Sequence, residues 1–114
     1  MATHFIETLD NDNPVTLSVK VGNGHKSHTV INLNDEPFND QSDSFSNLLI
    51  GTNKGLKHSV VLVYTKVLIS NKTKSKTHVK SVIVGALEDA HDESHKDAAA
   101  GSVLVTHTAE YNFI

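Results

Sequence analysis

The chain has 114 residues, 38% of them hydrophobic and 20% charged, with a formal net charge of −3. That length suits one domain over 1–114, and the balance speaks against collagen-like, disordered and membrane-inserted chains, since no apolar run approaches the roughly 20 residues that span a bilayer. Cysteine is absent, which excludes disulfides and thiolate metal sites.

Taken in chain order, the first candidate strand runs from Thr3 to Leu9 and stops at Asp10-Asn11-Asp12-Asn13-Pro14, a dense cluster of turn formers. Val15, Leu17, Val19 and Val21 then alternate with Thr16, Ser18 and Lys20, the period of a half-buried strand. Gly22-Asn23-Gly24 tolerates positive φ and turns the chain, so Thr29 to Leu33 is expected to return as the second arm of a hairpin. Asn34 to Ser46 is polar and acidic and contains Pro37, which reads as a long loop. Leu48-Leu49-Ile50 reads as a short edge strand before Gly51, and Asn53-Lys54-Gly55 as a turn.

Ser59 to Ile69 is rich in β-branched residues and apolar at both alternating sets of positions, as in a central strand covered on both sides. A lysine-rich tip, Asn71 to Lys76, leads into Val79 to Leu87, and the two strands are expected to pair as one long hairpin. Gly85 marks a bend in the return strand. Glu88 to Ala100 contains helix formers and no β-branched residue, but no apolar stripe to dock a helix, so an exposed helix of one to three turns or an ordered loop is expected there. Ser102 to Phe113 alternates again, with Val103, Val105, His107, Ala109, Tyr111 and Phe113 on one face. These elements add up to an all-β chain. An antiparallel β-sandwich of about seven strands, immunoglobulin-like or jelly-roll, is expected, with a small barrel as the competing arrangement.

Few constellations carry chemistry. All ten basic residues are lysines, so the planar two-pronged donor that reads phosphates and guanine edges is missing; nucleic acid is not an expected partner. Tryptophan is absent and aromatics make up 5%, which weakens a saccharide partner without removing it. No Gly-x-Ser-x-Gly elbow or glycine-rich phosphate loop occurs, and no enzymatic activity is expected.

Two segments offer metal ligands. Asp35, Glu36, Asp40 and Asp43 supply carboxylates of the kind that calcium collects, although the spacing is not that of an EF-hand. His91 and His95 stand four apart, the spacing at which one helical face can hold a zinc, but Asp92 follows the first histidine where HExxH proteases carry glutamate. The six residues Asp10 to Val15 resemble the calcium linker between cadherin repeats, while the acidic motifs that complete such a site are missing. A calcium- or metal-dependent ligand-binding domain is thus the second functional expectation.

Eight histidines are the one compositional excess, and protonating all of them would reverse the sign of the net charge. His107, on an apolar face, reads either as a neutral core histidine or as a switch for association. The first functional expectation rests on the 59–87 hairpin, whose apolar surface exceeds what a small core needs. Val61, Val63, Tyr64, Val67 and Ile69 are its expected contacts in a self-associating, non-enzymatic module, or in one that binds another protein. The N-terminus shows no basic patch leading into an apolar core, and with the lack of cysteine this favours a cytoplasmic location.

Overall fold

The computed structural model describes residues 2–70, 75–98 and 103–114. In chain order the strands are β1 (Ala2–Ile6), β2 (Pro14–Val21), β3 (Lys26–Leu33), β4 (Glu36–Ser42), β5 (Phe45–Thr52), β6 (Val60–Leu68), β7 (Lys76–Val84), β8 (Ala90–Asp97) and β9 (Leu104–Phe113). The one described helix, α1 (Asn53–Leu56), is a single turn capped by the Thr52 hydroxyl, which accepts from Gly55 N at 3.1 Å. The strands form a five-stranded sheet, β1-β9-β6-β3-β4, and a four-stranded sheet, β5-β2-β7-β8. The chain is an all-β sandwich.

Alternation builds the core. Val15, Leu17 and Val19 of β2, Val61, Val63 and Val67 of β6, and Val79 and Ile83 of β7 all point between the sheets. Tyr111 and Phe113 of β9 are the largest side chains enclosed there. At roughly 25 cal/mol per Å² of apolar surface, this layer is the main stabilising term.

Three expectations about connectivity are corrected. β2 and β3 do not pair, and neither do β6 and β7: each couple crosses from one sheet to the other. The Gly22-Asn23-Gly24 turn forms, with Asn23 and Gly24 at φ of 63° and 72°, but it carries the chain over the core. A turn signal reports a reversal; it does not say whether the next strand takes the backbone hydrogen bonds of the last one or faces it across the core. β1 runs parallel to β9, whereas every other described pairing is antiparallel.

The true hairpins are β3–β4 and β7–β8, and in both the second strand lies where no strand was expected. Asn34 and Asp35 (φ 51° and 66°) make a two-residue turn with the paired positive φ of a type I′ hairpin, and β4 follows in place of the expected 34–46 loop. β4 is exposed along nearly its whole length and carries Pro37, as edge strands tolerate. β8 stands in place of the short helix or ordered loop expected over 88–100, of which 99–100 lie outside the described residues. Eight register pairs with β7 outweigh its weak helical propensity. The 71–74 part of the lysine-rich tip also lies outside the described residues.

One buried polar side chain ties three loops together. Asn53, fully buried, accepts from Leu9 N at 2.9 Å and donates to the carbonyls of Asn13 at 3.1 Å and Gly85 at 2.9 Å. Asn11 Oδ1 accepts from Asn13 N at 3.0 Å, so the Asp10–Pro14 cluster acts as a turn. Gly85, at φ 111°, packs so closely on this turn that a Cβ would lie 2.2 Å from Pro14 O. We predict that Asn53→Ala lowers unfolding free energy by roughly 2–4 kcal/mol in urea titration, because the partly buried Leu9 N and Gly85 O lose their partner, while Asn13 O keeps the bond from Asn53 N. A loss below about 0.5 kcal/mol, the range of ordinary surface substitutions, would contradict this role.

Candidate functional site

The acidic residues of the 35–43 segment do not converge. Asp35 sits in the β3–β4 turn, while β4 from Glu36 to Ser42 extends over roughly 20 Å. Asp40 lies 3.4 Å from His28 Nε2, and Asp43 Oδ1 accepts from Ser27 N at 3.2 Å. Asp35, Glu36, Asp40 and Asp43 therefore make no shared cage for calcium.

His91 and His95 are also separated, because their segment is a strand. Four residues of extended chain place them roughly 13 Å apart, where a helix would have stacked them one turn apart. His95 instead meets His78, its direct register partner on β7. The two imidazoles are stacked, with ring centroids 4.2 Å apart and planes within 9°. Glu93, two residues before His95 on the same face, brings Oε1 to 3.8 Å from His78 Nε2 and 3.7 Å from Lys80 Nζ. The ligand atoms of His78, Glu93 and His95 all lie within 4.8 Å of one another. His78 and Glu93 escaped the sequence reading, since only the β7–β8 register brings them to His95.

Beneath this hairpin lies His107, buried on β9. The Thr77 hydroxyl donates to Lys96 O at 2.8 Å, so the 2.7 Å contact with His107 Nε2 has the imidazole as donor. Nδ1 then accepts from the Ser94 hydroxyl at 2.8 Å. The neutral ring thus pins both strands of the hairpin to the opposite sheet. Burial, aided by nearby Lys96, lowers its pKa to about 4; His78 and His95 act in the same direction and Asp92 against it. Nearby, burial raises Tyr111 to about 12, its hydroxyl bonded to Ser81 Oγ. His4 stacks on Tyr111 and reaches Asp92 Oδ1 at 3.0 Å, closing β1 against β8.

The expected contact residues divide by face. Val61, Val63 and Val67 point inward with exposures of 2% or less, covered by the four-stranded sheet, and so cannot meet a partner. Tyr64 points outward and is half-buried; Ile69, just beyond β6, donates its N–H to Val103 O at 2.8 Å. The outward row of β6 is Val60, Leu62, Tyr64, Lys66 and Leu68, apolar at four of five positions. Val30 of β3 lies beside Tyr64, and Leu104 of β9 beside Leu68. No strand or helix covers this face among the described residues. No helix there is long and apolar enough to cross a membrane.

His107 gives a pH prediction. Its folded pKa of about 4 lies below the unfolded value of 6.5, so between them the unfolded chain binds the extra proton. Stability therefore falls as pH drops from 6.5 to 4, by about 3 kcal/mol from this group, and its share levels off below pH 4. Urea titrations across this range should show a shallower pH slope for His107→Gln; equal slopes would refute the assignment.

Compared with known proteins, the chain matches no protein-family model, no curated protein and no solved structure.

Proposed function

We propose that the protein is a non-enzymatic assembly module that self-associates through the outer face of its five-stranded sheet. One observation carries the reading: β6, the middle strand of that sheet, is apolar on both faces, while the sandwich supplies cover for one. β2 and β3, by contrast, follow the ordinary rule for a two-layer sandwich, with mainly polar residues outside. β2 sends out Thr16, Ser18 and Lys20, and β3 sends out Lys26, His28 and Asn32 around the single apolar Val30.

Face packing is favoured over edge pairing because the edges are guarded. β4 carries Pro37 and Asp40, β8 alternates acidic residues with histidine, and β5 is bulged twice against β2. β1 is short. Within the β6 row the outer face has one charged residue, Lys66, whose long side chain can lie over apolar surface with its charge in water; Lys26 of β3 and Glu110 of β9 flank the row. The absence of a catalytic reading is consistent with this proposal. Both ring nitrogens of the buried His107 are taken up by structural hydroxyls, and Thr77 is itself fully buried.

Sedimentation velocity at low micromolar concentration should show a dimer or larger species. Leu62→Lys and Tyr64→Lys should each weaken association by roughly a hundredfold, since an unpaired charge in a dry interface costs about 3 kcal/mol. Their far-UV circular dichroism should be unchanged, because both side chains point away from the core. A clean wild-type monomer, or association untouched by both substitutions, would overturn the proposal.

A further inference from the structure

We propose that His78, Glu93 and His95 form a binding site for one divalent transition ion of the zinc class, on the outer face of the β7–β8 hairpin. Alternation sets the arrangement. Thr77, Val79, Ser81 and Ile83 point into the core, so His78 and Lys80 point out, and register places His95 opposite His78 and Glu93 opposite Lys80. Two imidazoles and a carboxylate are a ligand set for zinc, cobalt, nickel or copper; calcium and magnesium demand oxygen donors. Bonds of roughly 2.0–2.1 Å at tetrahedral angles hold donor atoms roughly 3.3–3.4 Å apart. His78 Nε2 and Glu93 Oε1 already stand at 3.8 Å, and the whole set within 4.8 Å.

A second observation points to a ligand. His78 Nε2 is buried from water and has no hydrogen-bond partner, with the Glu93 carboxylate just beyond bonding distance. A buried polar atom left unsatisfied is costly, and a cation between it and the carboxylate would satisfy both. Gly22 packs against the ring: a Cβ there would come within 3.3 Å of His78 Nδ1, so the imidazole is held from behind. His107 fixes the hairpin from the core side through Thr77 and Ser94, each adjacent in sequence to a ligand. Such a supported scaffold is what a metal site requires.

Binding asks for two small movements. Parallel stacked rings cannot both direct lone pairs at one ion, so the exposed His95 must turn about its Cβ–Cγ bond; no hydrogen bond holds it among the described residues. Lys80 must release Glu93, with which it forms only a surface ion pair at 3.7 Å. Water completes the coordination. This site is on the opposite sheet from the proposed association face, so either idea can fail without the other.

The test uses the intact chain without added histidines, titrated with cobalt(II) and then with zinc. The expected result is a visible ligand-field band at one equivalent, displaced by zinc and unaffected by calcium. His78→Ala and His95→Ala should each lower affinity more than tenfold, since losing even an outer-shell partner costs roughly 10–100-fold. Glu93→Gln should lower it less, and His91→Ala, on the same face but remote, should leave it unchanged. His95 is exposed, so loss of folding cannot explain the result for His95→Ala; circular dichroism of that variant checks this. No band for wild type, or a band that survives His78→Ala and His95→Ala, would overturn the proposal.

Discussion

A sandwich of two sheets has four faces and covers only two of them. Everything in this molecule follows from how each strand meets that constraint. Most strands comply by alternation, with Val15, Leu17 and Val19 turned inward from β2 against Thr16, Ser18 and Lys20 turned outward. β6 does not comply. Its inward row is Val61, Val63, Thr65 and Val67, yet Val60, Leu62, Tyr64 and Leu68 stand on the side where no further layer is found among the described residues. Because burial of apolar surface is the dominant favourable term in folding and association alike, an outward apolar row on a middle strand is where a neighbour gains most.

Much of the fold was legible in the residues, for a physical reason. Strands that bury one face must alternate, so β2 and β9 announce themselves by period two, while β6 and β7 do so by their runs of β-branched residues. β4 and β8 are silent on that measure. They sit at sheet edges, bury almost no apolar side chain and are held by backbone pairing, which leaves no trace in hydropathy. Asn34-Asp35 was the available clue to β4, since two adjacent residues that tolerate positive φ form a type I′ turn as Asn-Gly does. Without those two strands in view, turn signals alone pair β2 with β3 and β6 with β7, the neighbours in sequence that face each other across the core.

The same cause governs the candidate site. Helical spacing groups His91 with His95, a strand destroys that grouping, and the real neighbours of His95 depend on the β7–β8 register. Alternation within β9 suffices to put His107 on the inward face. Its partners Thr77 and Ser94 were invisible, being distant in sequence and brought together only by sheet packing. Polar residues in this core thus do positional work: Asn53 joins three loops at one end, and His107 fixes the outer hairpin in the middle.

The lack of cysteine makes the central claim directly measurable, since one introduced cysteine can carry a spin label at a chosen place. Thr106→Cys puts the label on the exposed rim of the five-stranded sheet's outer face, and Lys20→Cys puts it on the outer face of the other sheet. In pulsed electron–electron double resonance, apposed five-stranded sheets predict a short distance between copies for the first label. For the second they predict a separation of about two molecular thicknesses, each 21 to 24 Å. No distance between copies, or a shorter one for the label on Lys20→Cys, would contradict the account.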